Sequence, residues 1–162
     1  MENLWAPWRM NYILGDKSGN CIFCSNPDEK DSKENLVLYR GKLSMVMMNK
    51  YPYTYSHLLV APGRHVSGLD DLETAELNNL SSILQKSIII LKEAFQPHGF
   101  NIGLNQGKDA GAGIEEHLHF HIVPRWSGDI NFMPLLSETR VIPEHLNETY
   151  DRLAPFFKQL DI

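Results

Sequence analysis

The sequence has few cysteines, no long apolar run and no excess of basic residues. Two cysteines in 162 residues cannot form a disulfide framework, which argues against a small secreted scaffold. No apolar stretch approaches the roughly 18 residues of a membrane-spanning helix, and the chain does not begin with a charged-then-apolar signal pattern. The net charge of -5 argues against a protein that coats nucleic acid. We therefore expect a cytoplasmic protein with no membrane and no nucleic-acid partner.

Length and composition are those of a single globular domain. The chain has 162 residues, of which 43% are hydrophobic, enough for a sizeable core. We expect one domain over 1–162, with an aromatic N-terminal arm over 1–20 and a C-terminal extension over about 127–162. The negative net charge does not exclude a small phosphorylated ligand, because local donors hold such a ligand.

Three histidines alternate with apolar residues in the segment 116–125. In a β-strand, side chains alternate between the two faces, so His117, His119 and His121 are predicted to share one face, about 7 Å apart. The opposite face would carry Leu118, Phe120 and Ile122. Three of only seven histidines lie on this face, which favours a ligand or metal site over a solvated strand.

Two other segments carry residues suited to a site. Cys21 and Cys24 have the C-x-x-C spacing of a metal-binding or redox pair, although two small apolar residues would also explain them. The sequence after Cys24 does not resemble the helix that a redox pair opens, and histidines downstream offer further zinc ligands. The glycine-rich segment 106–114 directly precedes the histidines, and backbone amides of such loops often bind phosphate.

The periodicities predict an α+β fold. Apolar and alternating segments bounded by turn residues predict five strands, at 36–40, 43–48, 57–62, 100–105 and 116–125. Helical spacing of apolar residues predicts a long helix from about Asp71 to Phe95, with Asp70 as N-cap and Glu73 completing a capping box. A C-terminal helix is predicted from about Pro143. This order favours a largely antiparallel sheet covered by one long helix.

Two kinds of chemistry suit the histidine face. A neutral imidazole is a competent nucleophile towards phosphorus, and neighbouring imidazoles can donate hydrogen bonds to phosphate oxygens. Alternatively, three histidines could hold a zinc ion that activates water for hydrolysis. The second arrangement would leave the cysteines and the glycine loop unexplained.

The segment His-Leu-His-Phe-His-Ile-Val-Pro-Arg resembles the signature of the histidine triad (HIT) family of nucleotide hydrolases and transferases. The resemblance covers nearly the whole chain, and its other matching segments are Asn49 with its loop, 56–60, Asn105 with the glycine loop, and 126–132. The segments 5–10 and 128–132 resemble the bacterial diadenosine tetraphosphate phosphorylase branch. The implied fold is the HIT-like fold, and such proteins commonly form homodimers.

The resemblance implies roles for individual residues. His119 would be the nucleophile that becomes nucleotidylated, while His121 and His57 would contact the phosphate oxygens. The substrate would be a dinucleoside polyphosphate or similar adenine nucleotide. Asn49 would hydrogen-bond the ribose. The phosphate site would be lined by Asn105, Ala112, Gly113 and Ile114.

The small residues at 112 and 113 depart from the Gln-Thr pair of the fragile-histidine-triad branch, so backbone amides would hold the phosphates. The resemblance also implies a structural zinc ion held by Cys21, Cys24, His65 and His117. No organic cofactor is expected.

The sequence leaves open whether phosphate or water discharges the intermediate. Two other functions also remain possible on the sequence alone. One is a purine nucleotide-binding regulatory protein with weak phosphoramidate or nucleotide hydrolase activity. The other is a zinc hydrolase in which His117, His119 and His121 bind one ion.

Overall fold

A computed structural model describes residues 21–24, 33–129 and 142–160. Its five strands form one antiparallel sheet in the order β1-β2-β3-β5-β4. The strands are β1 Val37–Arg40, β2 Ser44–Met48, β3 Leu58–Pro62, β4 Gly99–Leu104 and β5 Phe120–Arg125. The helices are α1 Thr74–Phe95 and α2 Leu146–Phe157. This arrangement confirms the predicted α+β fold. The predicted arm over 1–20 lies outside the described residues, as do 130–141 and 161–162 of the predicted C-terminal extension.

The two faces of the sheet have different coverings, as the period of two in a strand requires. Alternate residues of β2 illustrate this: Val46 and Met48 belong to a core beneath both helices, whereas Met45 and Met47 belong to a smaller apolar cluster on the other face. The helices contribute Leu80, Ile83, Ile90, Leu91, Leu153, Ala154 and Phe157 to the larger core. Phe23 of the smaller cluster contacts His117 and His119, and Cys21 packs against the same cluster. The helices therefore leave that side available for a site.

The start of α1 differs from the prediction. The N-cap is Glu73, and the side chain of Glu76 accepts a hydrogen bond from the Glu73 backbone N–H at 2.8 Å. Leu69–Asp71 instead forms a separate 3₁₀ turn, in which the Asp71 carboxylate accepts from the N–H of Gly68. The predicted N-cap, Asp70, therefore lies inside the preceding turn, whose own N-cap is Gly68. Leu72 is extended between the two elements, which prevents one continuous helix.

The histidine segment also differs from the prediction, because the hydrogen-bonded strand begins only at Phe120. His117 and His119 precede β5 as irregular chain, although Leu118 donates a backbone hydrogen bond to Val66 at 2.7 Å. Ladder hydrogen bonds therefore begin only at Phe120. The predicted common side is kept, however, because Phe23 contacts both His117 and His119, and His119 contacts His121. Within the described ranges, no helix has the length and apolar character needed to cross a membrane.

Candidate active site and metal cluster

The pairing of β3 with β5 brings His57 and His121 together. His57 immediately precedes β3, and the register places Leu58 opposite Ile122 and Leu59 opposite His121. The Nε2 atom of His57 lies 2.9 Å from Nδ1 of His121. Residues 64 positions apart in the chain thus form a hydrogen-bonded imidazole pair at the centre of the sheet.

The protonation of this pair follows from its neighbours. The backbone N–H of Tyr53 donates to Nδ1 of His57 at 3.1 Å, and the amide nitrogen of Asn49 lies 3.3 Å from the same atom. Nδ1 of His57 is therefore the acceptor, and its Nε2 carries the proton that is donated to His121. Because Nδ1 of His121 accepts that proton, the neutral His121 ring has its own N–H at Nε2.

His119 has the opposite tautomer. Its Nδ1 lies 2.9 Å from the backbone oxygen of His117, and a carbonyl oxygen can only accept. The proton is therefore on Nδ1, and Nε2 carries a lone pair. Burial lowers the pKa of His119, although the hydrogen bond to His117 partly opposes this effect. His119 is thus a neutral imidazole with a nucleophilic Nε2, and within the described ranges Nε2 has no hydrogen-bond partner.

The two tautomers face each other across a short distance, because the ring centroids of His119 and His121 are 5.0 Å apart. Aromatic side chains cover both rings. The ring centroid of Phe23 lies 5.2 Å from that of His119, and the ring centroid of Tyr53 lies 5.8 Å from that of His121. His119 is only 4% exposed. The ring is thus more enclosed than an open histidine face would be. The cleft lined by Arg64, His65, Val66, Ser67, Asp71, Glu115 and Glu116 is separate from it.

A second cluster contains the two cysteines and two further histidines. The potential ligand atoms of Cys21, Cys24, His65 and His117 all lie within 4.8 Å of one another. Sγ of Cys24 is 3.1 Å from Nδ1 of His65 and 3.3 Å from Nδ1 of His117, and Sγ of Cys21 is 3.4 Å from that same nitrogen. These are the separations of ligands around one small tetrahedral ion.

The chemistry of the cluster also fits zinc. Nε2 of His117 lies 3.0 Å from the backbone oxygen of Pro62, so it carries the proton and leaves the Nδ1 lone pair facing both sulfurs. Burial lowers the pKa of His117, which keeps the ring neutral. Burial and the neighbouring Cys21 raise the pKa of Cys24 to about 11. A pair of thiolates so close together needs a cation to balance its charge.

The geometry does not favour three histidines on one ion. His117 directs its available nitrogen to the cysteines, whereas Nδ1 of His119 is bonded to a carbonyl and Nδ1 of His121 to His57. Among the described residues, the side chains that converge as potential ligands are those of the cysteine-containing cluster. The three triad histidines therefore divide between two sites.

The glycine loop begins where β4 ends, next to the histidines, because β4 pairs with β5 and places Gly103 opposite His121. Gly107 and Gly111 both have φ of +83°, which favours glycine. The N–H of Ala112 donates to the oxygen of Gly107, so this amide is used within the loop. In the described part of the chain, the N–H groups of Gly113 and Ile114 have no hydrogen-bond partner, so these two are the candidate phosphate donors.

The two predicted asparagines are partly engaged by the protein itself. Asn105 donates its side-chain amide to the oxygen of Gly111 at 3.4 Å, which ties the end of β4 to the glycine loop. The Oδ1 atom of Asn49 accepts from the N–H of Tyr51 at 2.9 Å, while Nδ2 faces His57. Both side chains are half-buried near the site, and both shape its loops.

Sequence reasoning missed three residues that set the chemistry. Tyr53 acts through its backbone N–H and Pro62 through its carbonyl, and no side-chain pattern identifies such contacts. Phe23 was visible only as the apolar residue inside the C-x-x-C segment, yet its ring lies 4.9 Å from His117 and 5.2 Å from His119. Phe23 therefore contacts the metal cluster and the nucleophile together.

Comparison with known proteins supports this description. The family model described as HIT domain matches residues 30–128. A Mycobacterium tuberculosis protein named AP-4-A phosphorylase is 42% identical over 95% of this chain and 83% of its own length. A Schizosaccharomyces pombe protein named bis(5'-nucleosyl)-tetraphosphatase [asymmetrical] is 34% identical over 75% of this chain and 63% of its own. The crystal structure of a zinc-bound histidine triad family protein from Mycobacterium smegmatis aligns with a TM-score of 0.66 at 27% identity, over 86% of this chain and 94% of that one.

Proposed function

The chain belongs to the HIT domain family, and from this premise we propose that it cleaves dinucleoside polyphosphates through a nucleotidyl intermediate on His119. The relatives named AP-4-A phosphorylase and tetraphosphatase support this class of substrate. The observation that carries the proposal is that His119 and His121 have opposite tautomers, one with a lone pair and the other with a proton at Nε2. His119 offers a lone pair at Nε2 and His121 offers an N–H at Nε2, and the centroids of the two rings are 5.0 Å apart.

In the first step, Nε2 of His119 attacks the α-phosphorus of the substrate. The new N–P bond forms as the P–O bond to the leaving nucleotide breaks, and the leaving oxygen keeps the electron pair as a phosphate anion. The N–H of His121 donates to the phosphoryl oxygen as charge develops there. His57 acts through His121, to which it donates. The positive charge on the modified His119 ring is stabilised by the hydrogen bond from Nδ1 to the oxygen of His117.

In the second step, an acceptor attacks the same phosphorus, the N–P bond breaks and the lone pair returns to Nε2 of His119. With diadenosine tetraphosphate, water as acceptor gives AMP and ATP, whereas inorganic phosphate gives ADP and ATP. We propose phosphate as the acceptor, on the basis of the relative named AP-4-A phosphorylase.

Substrate contacts are proposed for the two loops that flank the histidines. Tyr51 uses one lone pair of the Asn49 oxygen and His57 one N–H of its amide nitrogen, so Asn49 would bind the ribose through the second N–H and the second lone pair. The phosphates would lie against the glycine loop, whose candidate contacts are Asn105, Ala112, Gly113 and Ile114. The amides of Gly113 and Ile114, which have no partner among the residues that the structure describes, support this proposal. The amide of Ala112 is bonded within the loop and so shapes it.

The test uses diadenosine tetraphosphate with radiolabelled inorganic phosphate. We expect label in the β-phosphate of ADP and none in ATP, because the acceptor joins the phosphorus bound to His119. Label in neither product, with AMP formed, would identify a hydrolase. Turnover by His119→Ala equal to the wild type would reject the mechanism. The matched control is His98→Asn, because His98 is an exposed histidine whose Nδ1 accepts from Ser127, a role that asparagine can retain.

We also infer that Cys21, Cys24, His65 and His117 hold a structural zinc ion. When bound, zinc would cross-link the 21–24 segment to the chain that follows β3 and to the start of the triad. The four convergent ligand atoms and the hydrogen bond from His117 to Pro62 support this inference. The zinc-bound relative shows that this family includes metal-containing members.

We infer that the protein forms a homodimer through β4, which is an edge of the five-stranded sheet. Ile102 at the middle of this edge is 47% exposed, and an edge strand offers unpaired backbone groups to a second copy. We also propose that 1–162 is one domain, since α2 contributes Leu153 and Phe157 to the same core as α1. A cytoplasmic location is proposed because Cys21 and Cys24 are not joined in a disulfide.

A further inference from the structure

The loop between β2 and β3 controls the tautomers described above. Two residues of this loop make Nδ1 of His57 an acceptor: Tyr53 through its backbone N–H at 3.1 Å, and Asn49 through its side-chain amide nitrogen at 3.3 Å. If the loop moved so that these contacts were lost, either nitrogen of His57 could carry the proton, and the donation to His121 would no longer be fixed. The position of Tyr53 therefore matters for the chemistry, although the Tyr53 side chain is not a reacting group.

The next aromatic residue of the loop, Tyr55, is tied to the C-terminal part of the chain. Its hydroxyl donates to Oε2 of Glu144 at 2.5 Å and accepts from Arg152 at 3.1 Å. Arg152 also donates to Oε1 of Glu144 at 3.0 Å, and Thr149 donates to Oε2 at 2.9 Å. We call Tyr55, Glu144 and Arg152 the C-terminal clamp.

The clamp is anchored to the main body of the fold. Arg152 donates to the backbone oxygen of Ala94 at 3.2 Å and lies 4.4 Å above the ring of Phe95. The Tyr55 ring packs against the same Phe95, with centroids 4.9 Å apart. Burial and the hydrogen bond to Glu144 raise the pKa of Tyr55 to about 12, so the hydroxyl remains a donor at neutral pH. A donor–carboxylate bond of this kind is stronger than an exposed ion pair.

The backbone between the clamp and His57 depends on external support. Ser56 has φ of +58°, a left-handed conformation that costs a non-glycine residue roughly 1–2 kcal/mol. Its hydroxyl is buried and, within the described ranges, has no hydrogen-bond partner that would offset this cost. Contacts elsewhere must therefore hold the loop. Thr54 supplies one such contact by donating to the oxygen of Pro124 at 2.9 Å, and the clamp supplies another.

We propose that Tyr55, held by Glu144 and Arg152, is a positioning residue that keeps the Tyr53 N–H on His57 and thereby fixes the proton positions of His57 and His121. The inference rests on the proposed function for its effect on turnover. The proposal gives α2 a role in catalysis, because α2 carries Arg152 of the clamp. This helix lies outside the part of the chain that matches the HIT domain model.

The test compares Tyr55→Phe with wild type by steady-state kinetics and by nitrogen-15 NMR of the histidine rings, whose shifts distinguish N–H from lone-pair nitrogens. Tyr55→Phe removes the hydroxyl but keeps the ring on Phe95. We expect kcat to fall about tenfold, the effect of one hydrogen bond of ordinary strength. We expect KM to change less, and the single tautomer of His57 to become a mixture. The matched control is Tyr39→Phe, whose hydroxyl has no partner among the described residues.

A second variant, Glu144→Gln, keeps the size of the side chain but weakens the bond from Tyr55, and it should change kcat and the His57 shifts in the same direction. Unchanged His57 shifts in both folded variants would overturn the proposal, even if thermal stability or turnover fell, because the clamp would then be only structural. The NMR measurement needs no substrate. A wild type that does not turn over diadenosine tetraphosphate would therefore reject the proposed function while the clamp is still tested.

Discussion

Substitutions at His57 can separate the two hydrogen bonds that this ring makes. His57 accepts at Nδ1 from Tyr53 and donates from Nε2 to His121. A glutamine amide nitrogen reaches roughly the position of Nε2, whereas an asparagine oxygen reaches roughly that of Nδ1. His57→Gln therefore keeps the donor, His57→Asn keeps the acceptor, and His57→Leu keeps neither.

The expected magnitudes follow from burial. His57 is 1% exposed, so a partner that loses its hydrogen bond is not readily compensated by water. Leaving a buried group unpaired costs about 1–3 kcal/mol, and a factor of ten in rate corresponds to about 1.4 kcal/mol. His57→Leu should lower kcat roughly 5- to 150-fold, because Nδ1 of His121 loses its donor. His57→Gln should retain kcat within a few-fold of wild type.

The stability of the same variants should follow a different order. Glutamine and leucine both leave the N–H of Tyr53 without its acceptor, so both should lower the free energy of unfolding by about 1–2 kcal/mol. Asparagine should recover most of this loss. The measurements are kcat and KM with diadenosine tetraphosphate and phosphate, together with urea unfolding. Equal kcat for His57→Gln and His57→Leu would refute the argument that the Nε2 proton orients His121.

Three further predictions concern other parts of the structure. Cys24→Ser should reduce the bound zinc from about one ion per chain to near zero and lower the unfolding temperature; retention of the metal by the folded variant would contradict the assigned ligands. Glu76→Gln should destabilise the protein at neutral pH. Its bond from Arg64 lowers the Glu76 pKa from 4.5 to about 2, so this stabilisation is present above pH 4.5 and is lost as the pH falls towards 2. Urea midpoints that differ from wild type equally at pH 7 and pH 2 would disprove this. Ser56→Gly should raise stability by about 1 kcal/mol because glycine adopts φ of +58° freely, whereas Ser56→Ala keeps the strain; a larger gain for alanine would contradict the strain argument.

Local periodicity was sufficient to predict most of the fold. The two β-hairpin strands, the apolar stripe of α1 and the helix before the C-terminus all depend on residues a few positions apart. The errors arose where one element competes with another for the same groups. At α1, Asp71 caps the preceding 3₁₀ turn, and Glu76 pairs with both Glu73 and Arg64, so the helix begins later than its sequence signal suggests.

The candidate site was predictable in its residue types but not in its geometry. The resemblance to the HIT family implied that Cys21, Cys24, His65 and His117 would lie together, and their ligand atoms do converge. It could not indicate that His119 would be 4% exposed, because the cover comes from Phe23, which lies 96 positions earlier. It also could not reveal the network of Tyr55, Glu144 and Arg152, whose members are separated by up to 97 positions.

The different chemical roles of the three triad histidines are set by the oxygen and nitrogen atoms to which their rings are hydrogen-bonded. Nε2 of His117 donates to the carbonyl oxygen of Pro62, and Nδ1 of His119 donates to the carbonyl oxygen of His117. Nδ1 of His121 accepts from the N–H of His57. Because a neutral imidazole carries one proton, each contact decides what the other nitrogen can do. His117 is left with a lone pair towards the sulfurs, His119 with a lone pair for phosphorus and His121 with a donor. Exchange of one backbone contact would therefore alter a role without changing any of the three residues, which is why the loop carrying Tyr53 matters as much as the histidines themselves.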